Sequence, residues 1–106
     1  MTRTRLRLTY ATGVILQSIA RGYCYGFDIM DASGLPDGTV YPALRRLEDH
    51  GFLTSEWEEE ITAAREKRPP RRYYGLTETG EAMLAEARGK FRALQWADAA
   101  PRPLER

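Results

Sequence analysis

The stretch that decides the fold runs from Asp37 to Leu53 and reads D-G-T-V-Y-P-A-L-R-R-L-E-D-H-G-F-L. Asp37-Gly38 is a turn pair, and Thr39 is a good N-cap. With Thr39 as the cap, Pro42 falls at the third helical position, where its missing N–H is one that a helix start leaves free anyway. Val40, Leu44 and Leu47 recur at spacings of four and three and so line one buried face. Tyr41 and Arg45 lie one turn apart on a neighbouring face and remain free for outside work. Gly51 ends the helix in the left-handed conformation common at helix C-termini, and Phe52-Leu53 then starts something apolar and extended. One core face, one Tyr/Arg face and an N-terminus behind a turn suit a helix that reads DNA. The same periodicity suits an ordinary amphipathic surface helix, and the flanking segments decide between the two.

Upstream, Thr9 to Ala20 reads as a first helix, with Ala11, Ile15 and Ile19 inward and Leu8 extending that stripe. A second, short helix spans Gly26 to Ala32, with Phe27, Ile29 and Met30 buried, and Ser33-Gly34 ends it. Two helices joined by the turn Leu35-Pro36-Asp37-Gly38 match a helix–turn–helix. Met1 to Leu8 alternates Arg with Thr and Leu, which fits a basic arm touching phosphates or a merely solvated terminus.

Downstream, Phe52 to Glu58 alternates in the manner of a strand, and Arg72 to Leu76 is a second apolar run that can pair with it antiparallel. The connection from Glu59 to Pro70 is long, charged and closed by Pro69-Pro70; it is expected to be a basic loop, the two strands and loop forming a wing. Thr77 caps a last helix expected to run to about Ala99, stopped by Pro101 and Pro103. Leu84, Ala87, Phe91 and Leu94 make a short apolar seam along it. Gly89, in its middle, weakens it by about 1 kcal/mol relative to Ala.

The chain has 106 residues, enough for one small domain with a core. No apolar run is long enough for a membrane span, and no secretory signal is present. The single cysteine, Cys24, cannot form an internal disulfide, which fits a cytoplasmic protein. Net charge is only +1, but it is segregated. Glu48 to Glu60 carries six acids and no Lys or Arg, whereas Arg65 to Arg72 carries five basic residues against Glu66 alone, a pattern that gives one basic face.

Three segments resemble the PadR family of bacterial transcriptional regulators, in its short C-terminal-helix form. They are Tyr25-Gly26 at a helix start; Gly38-Thr39-Val40-Tyr41-Pro42-Ala43-Leu44-Arg45-Arg46-Leu47-Glu48 with Gly51-Phe52-Leu53; and Arg71-Arg72-Tyr73-Tyr74 with Leu76-Thr77-Glu78-Thr79-Gly80. The resemblance spans Tyr10 to Leu94. It implies an α+β, mostly α fold: a winged helix–turn–helix over residues 1–76, then a dimerisation helix and tail over residues 77–106. It further implies a homodimer on double-stranded operator DNA and, in many members, a small effector. Thr39, Tyr41, Pro42, Arg45 and Arg46 are the expected contacts from the reading helix, and Lys67, Arg68, Arg71 and Arg72 those from the wing. The resemblance turns Leu84, Ala87, Phe91 and Leu94 toward a twin. It also suggests that Phe91 and Trp96 stack on a flat aromatic effector, although dimer core is the first reading of Phe91. Repression is the expected action, because a small dimer seated on a promoter blocks polymerase by occupancy.

Two other functional classes compete with this one. An enzyme draws on histidine, paired carboxylates or metal ligands. His50, the only histidine, sits at a helix C-terminus, Glu58-Glu59-Glu60 reads as a solvated run, and no Cys/His spacing suggests a metal or cofactor. The nearer rival is a winged-helix module that binds proteins rather than DNA, which the acids from Glu56 to Glu60 would suit.

Overall fold

The first turns of this fold are set by threonine and glycine. In the computed structural model, which describes residues 7–99, the Thr9 hydroxyl accepts the Thr12 N–H at 3.1 Å and starts helix α1 (Tyr10–Ala20). Ile15, Leu16 and Ile19 of α1 are buried, as are Gln17 and Ser18. The basic segment Met1 to Leu6 lies outside the described residues. Helix α2 (Gly26–Ser33) ends at Gly34, whose φ of +76° is the left-handed conformation that glycine adopts without a steric penalty. Ile29 is fully buried and Met30 packs partly against the core, but Phe27 is 67% exposed, contrary to the expectation from composition. Positions 27 and 29 lie about 200° apart on a helix, so burying Ile29 turns Phe27 outward.

Helix α3 (Asp37–Asp49) starts three residues earlier than the sequence suggested. Pro36 is its N-cap residue, and the N–H groups of Thr39 and Val40 both reach the Pro36 carbonyl, at 2.9 and 3.0 Å. Thr39 therefore sits inside the first turn rather than capping it, and Pro42 lies in the helix interior. The proline is tolerated because the carbonyl it leaves without an intrahelical donor belongs to Gly38, an exposed residue of the first turn. Val40, Ala43, Leu44 and Leu47 are all buried. The far end closes as expected: Gly51 has φ of +84°, its N–H donates to Glu48, and the Phe52 N–H donates to the Leu47 carbonyl.

Strands β1 (Leu53–Trp57) and β2 (Arg72–Leu76) pair antiparallel, with Leu53 opposite Leu76, Ser55 opposite Tyr74 and Trp57 opposite Arg72. Their connection is not the open basic loop expected. It contains helix α4 (Glu60–Arg65), which buries Ala63. Glu60 lies in its first turn and Arg65 in its last, both favourable to the helix dipole. Lys67, at φ +58°, turns the chain out of it.

The Thr77 side chain accepts the Gly80 N–H at 3.0 Å and starts α5 (Glu78–Lys90). Thr77 and Thr79 also donate to the Gly51 carbonyl at 2.7 and 3.0 Å. A methyl group on Gly80 would collide with the Phe52 carbonyl. The segment Leu76 to Gly80 thus fastens α5 onto the turn that ends α3.

The expected single helix to Ala99 is two helices. Phe91 leaves helical geometry (φ −118°, ψ 107°), and α6 spans Arg92–Ala99. The break brings Leu94 onto α1, where buried Gln17 donates to its carbonyl at 2.8 Å. Gly13 makes room for this approach, since a methyl there would lie 2.8 Å from Leu94 Cδ1 and 3.0 Å from Ala87 Cβ. Leu84, Ala87 and Leu94, the expected dimer seam, are therefore buried within their own chain. Phe91 is half-buried and meets the Tyr10 ring edge-on at 5.5 Å. The prolines at 101 and 103 lie outside the described residues.

Two glycine substitutions in α5 should act with opposite sign. Gly80→Ala should lower unfolding stability by about 1–3 kcal/mol through overpacking. Gly89→Ala, where nothing lies within 4 Å, should raise it by up to about 1 kcal/mol. Urea denaturation followed by circular dichroism measures both.

Candidate nucleic-acid interface

Burying Val40, Ala43, Leu44 and Leu47 leaves the opposite side of α3 in solvent. Tyr41, Pro42, Arg45 and Arg46 are all exposed there, and Thr39 is half-buried. Tyr41 is 45% exposed, yet its ring is not loose: it lies directly over Gly26 at the start of α2, where a methyl group would collide with it. The pairing of Tyr25-Gly26 with Tyr41 in the sequence thus has a steric cause. No ion pair joins Arg46 to Asp49; the Arg46 carbonyl instead meets His50 Nδ1 at 2.8 Å.

The wing is tied to α3 by a small polar network. Ser55 donates to Glu48 Oε2 at 2.7 Å, Arg72 Nε donates to Ser55 Oγ at 2.9 Å, and the Arg72 fork reaches Glu48 Oε1 at 3.2 Å. The Arg72 guanidinium also lies over the rings of Trp57, at 5.4 Å, and Tyr74, at 5.9 Å. Arg68 grips Glu58 with both arms, at 2.6 and 2.8 Å, and Glu58 further accepts the Arg71 backbone N–H at 3.2 Å. This geometry holds the Glu58 carboxyl down to about 2, chiefly through the Arg68 hydrogen bonds, with burial opposing. The same bonds push the Arg68 guanidinium up, and burial raises the Tyr74 hydroxyl.

The nine expected contacts therefore divide by what else they do. Tyr41, Pro42, Arg45, Arg46 and Lys67 are exposed, with Lys67 at the turn leaving α4. Arg68 and Arg72 are half-buried and committed to Glu58 and Glu48. Arg71 is half-buried and stacked on Tyr25, its guanidinium carbon 4.1 Å from the ring centroid, and its backbone N–H rather than its side chain donates to Glu58. Sequence reading passed over the rings of Tyr25, Phe27 and Trp57, which line a groove beside Tyr41. The alternation over Phe52 to Glu58 placed Trp57 on one strand face but did not say which. The side chain of Trp96 lies outside those described, so its relation to Phe91 stays an expectation.

Three helices, a two-stranded wing and a fastened fifth helix define a winged-helix DNA-binding fold. The family model for the transcriptional regulator PadR-like family matches residues 15–86. A PadR family transcription regulator from hypervirulent Clostridium difficile superposes with a TM-score of 0.68 at 26% identity, covering 84% of this chain and 94% of that one. A PadR-like transcription factor from Bacteroides fragilis gives 0.63 at 30% identity, covering 81% and 84%. Bordetella bronchiseptica BpsR, whose DNA binding is regulated by 6-hydroxynicotinic acid, shares the fold at 20% identity and a TM-score of 0.62, over 87% of this chain and 61% of its own. No curated protein sequence matches the chain. The chain belongs to the PadR-like family of transcriptional regulators. Among the described residues, no helix is long and apolar enough to cross a membrane.

The Glu58 clasp has a pH consequence. Its carboxyl is depressed from 4.5 in the unfolded chain to about 2, so its contribution to stability is present above the unfolded value and is lost as pH falls through about 2. Carbon-detected NMR titration should find Glu58 still ionised at pH 3 or so, and Arg68→Ala should bring its midpoint back toward that of an ordinary glutamate.

Proposed function

We propose that the chain is a sequence-specific repressor that binds operator DNA as a homodimer in the cytoplasm. The observation that carries this reading is the outward face of α3. Tyr41, Pro42, Arg45 and Arg46 stand exposed on a helix whose other side is the core, with exposed Lys67 in the adjoining wing. Arg45 offers a fork that matches the acceptor pair of guanine in the major groove. Arg46 and Thr39 serve the backbone or neighbouring base edges, and Lys67 is placed for a phosphate. Arg68, Arg71 and Arg72 add positive potential but act mainly by holding the wing against α2 and α3.

The twin is proposed to meet the chain at the C-terminal helices. Leu84, Ala87 and Leu94 already bury against α1, so Phe91 and the 48% exposed Tyr10 are the apolar surface left for it. Dimerisation would set two copies of α3 about one duplex turn, roughly 34 Å, apart on a two-fold site. Release by a small aromatic effector, stacked on Phe91 and Trp96, is the reading for which the Bordetella neighbour offers a precedent.

Fluorescence anisotropy on DNA from the gene's own upstream region, with non-specific competitor, tests the proposal. One dimer per site is expected, with affinity falling as salt rises. Arg45→Ala should reduce preference for the site by about 1–3 kcal/mol, whereas Lys67→Ala should weaken all DNA alike and reduce the salt slope by about 1. Equal, weak binding to any DNA, unmoved by either change, would favour the protein-binding module instead.

A further inference from the structure

The connection between the two strands converges on one carboxylate. Arg68 grips Glu58 with Nη1 at 2.6 Å and Nη2 at 2.8 Å, the forked geometry that arginine also makes with a phosphate. The Arg71 backbone N–H adds a third donor at 3.2 Å, and the Arg71 side chain adds its positive charge nearby. Pro69 and Pro70 carry no N–H, so that of Arg71 is the first main-chain donor after Arg68. A guanidinium fork, a main-chain N–H and a second cation are the donors that proteins turn on a nucleic-acid phosphate. Here the chain fills the position itself: the Glu58 side chain is 9% exposed and that of Arg68 21%.

The wing does not need this carboxylate to keep its register. The Glu58 N–H donates to the Arg71 carbonyl at 2.8 Å, a bond that any residue but proline keeps at that position. The pairing from Leu53 opposite Leu76 to Trp57 opposite Arg72 is main chain as well. What the carboxylate alone decides is charge. Glu48 meets Arg72 at one point, 3.2 Å, with the two side chains 30% and 41% exposed. Glu58 answers Arg68 at two points, out of solvent. Its carboxyl, held down to about 2, stays ionised at neutral pH, so the pairing is permanent there.

We propose that Glu58 is an autoinhibitory phosphate mimic: it occupies the anion position formed by Arg68 and the Arg71 N–H, so that a duplex meets the wing one cation short. Drawing Arg68 away to a phosphate strands a carboxylate that is almost out of solvent, which is costly, so the clasp persists in the complex. The effect is the same on every duplex, because phosphates carry no sequence. Affinity for DNA at large is held down, and discrimination is left to the outward face of α3. This role of Glu58 on DNA rests on the regulator reading.

The test compares the full chain with Glu58→Gln, Glu56→Gln and the double variant Glu58→Gln/Arg68→Ala, on the upstream-region duplex and on a random duplex, across a salt series. Glutamine at 58 keeps an oxygen for the Arg71 N–H and removes only the charge. Glu58→Gln should bind both duplexes about fivefold tighter or more at about 0.1 M salt, with a salt slope steeper by about 0.9, the value for one more phosphate neutralised. Glu56→Gln removes the same charge from an exposed residue of the same strand and should leave the slope where it was. The double variant has the wild-type net charge and should return to the wild-type slope. A slope unchanged or shallower in Glu58→Gln overturns the proposal, as does equal steepening by Glu56→Gln. A double variant with a shallower slope than the wild type means that Arg68 already holds a phosphate despite Glu58, and also overturns it. Elution from immobilised heparin, a polyanion without base edges, separates this idea from the regulator reading. If no variant binds duplex, that reading falls; the mimic then stands if Glu58→Gln alone elutes at higher salt than the wild type, and falls if it does not.

Discussion

Burial of one face of α3 is the constraint on which everything else depends. Val40, Ala43, Leu44 and Leu47 meet Ile15, Leu16 and Ile29 from the first two helices and Leu53 from the first strand in one core. Each such side chain contributes on the order of 1.5–3 kcal/mol when fully buried, so rotating α3 about its axis is far costlier than any surface contact can offset. The outward residues inherit their direction from this. Tyr41, Arg45 and Arg46 face solvent because their neighbours in sequence cannot.

The surface polar contacts refine that placement rather than create it. The Glu48–Ser55–Arg72 network and the Glu58–Arg68 clasp are partly exposed, and pairs of this kind contribute little to global stability. Their effect is on orientation. The first ties the wing to α3, and the second ties the chain leaving α4 to the end of β1. The tight glycines act in the same sense at the backbone. Gly26 admits the Tyr41 ring, Gly13 admits Leu94, and Gly80 admits the Phe52 carbonyl. Gly26 and Gly80, which belong to the family-like motifs, are thus places where two segments approach too closely for a side chain, whereas Gly38 and Gly51 have open space beside them.

This explains which parts were legible in the sequence. Periodicity found the three first helices, both strands, the Gly51 terminus and the Thr77 cap, because each is a local preference that packing agrees with. It placed the start of α3 too late, since proline was read as a boundary where an exposed Gly38 makes it tolerable. It put Phe27 in the core, because hydrophobicity was weighed without the helical angle to Ile29. Helix α4 was hidden by its charge, although Glu59 and Glu60 before Ala63, Ala64 and Arg65 carry the polarity a short helix favours. The break at Phe91 could not be read locally: the seam continues through it in register, and only Gln17 and Gly13, more than seventy residues away, decide that Leu94 folds back. Of the interface, sequence reading named the cations; it did not show that Arg68 and Arg72 are committed internally, nor that Arg71 stacks on Tyr25.

The central claim is that duplex DNA is held by the outward face of α3 and the wing tip, on a scaffold that binding leaves unchanged. Backbone amide NMR of the full chain, free and bound to its operator, tests this most directly. The expected shifts are large at Thr39 to Arg46 and at Lys67 to Arg72, and small for the buried amides of α1. Large shifts confined to Glu78 to Lys90, with the α3 amides unmoved while DNA is bound, would contradict it.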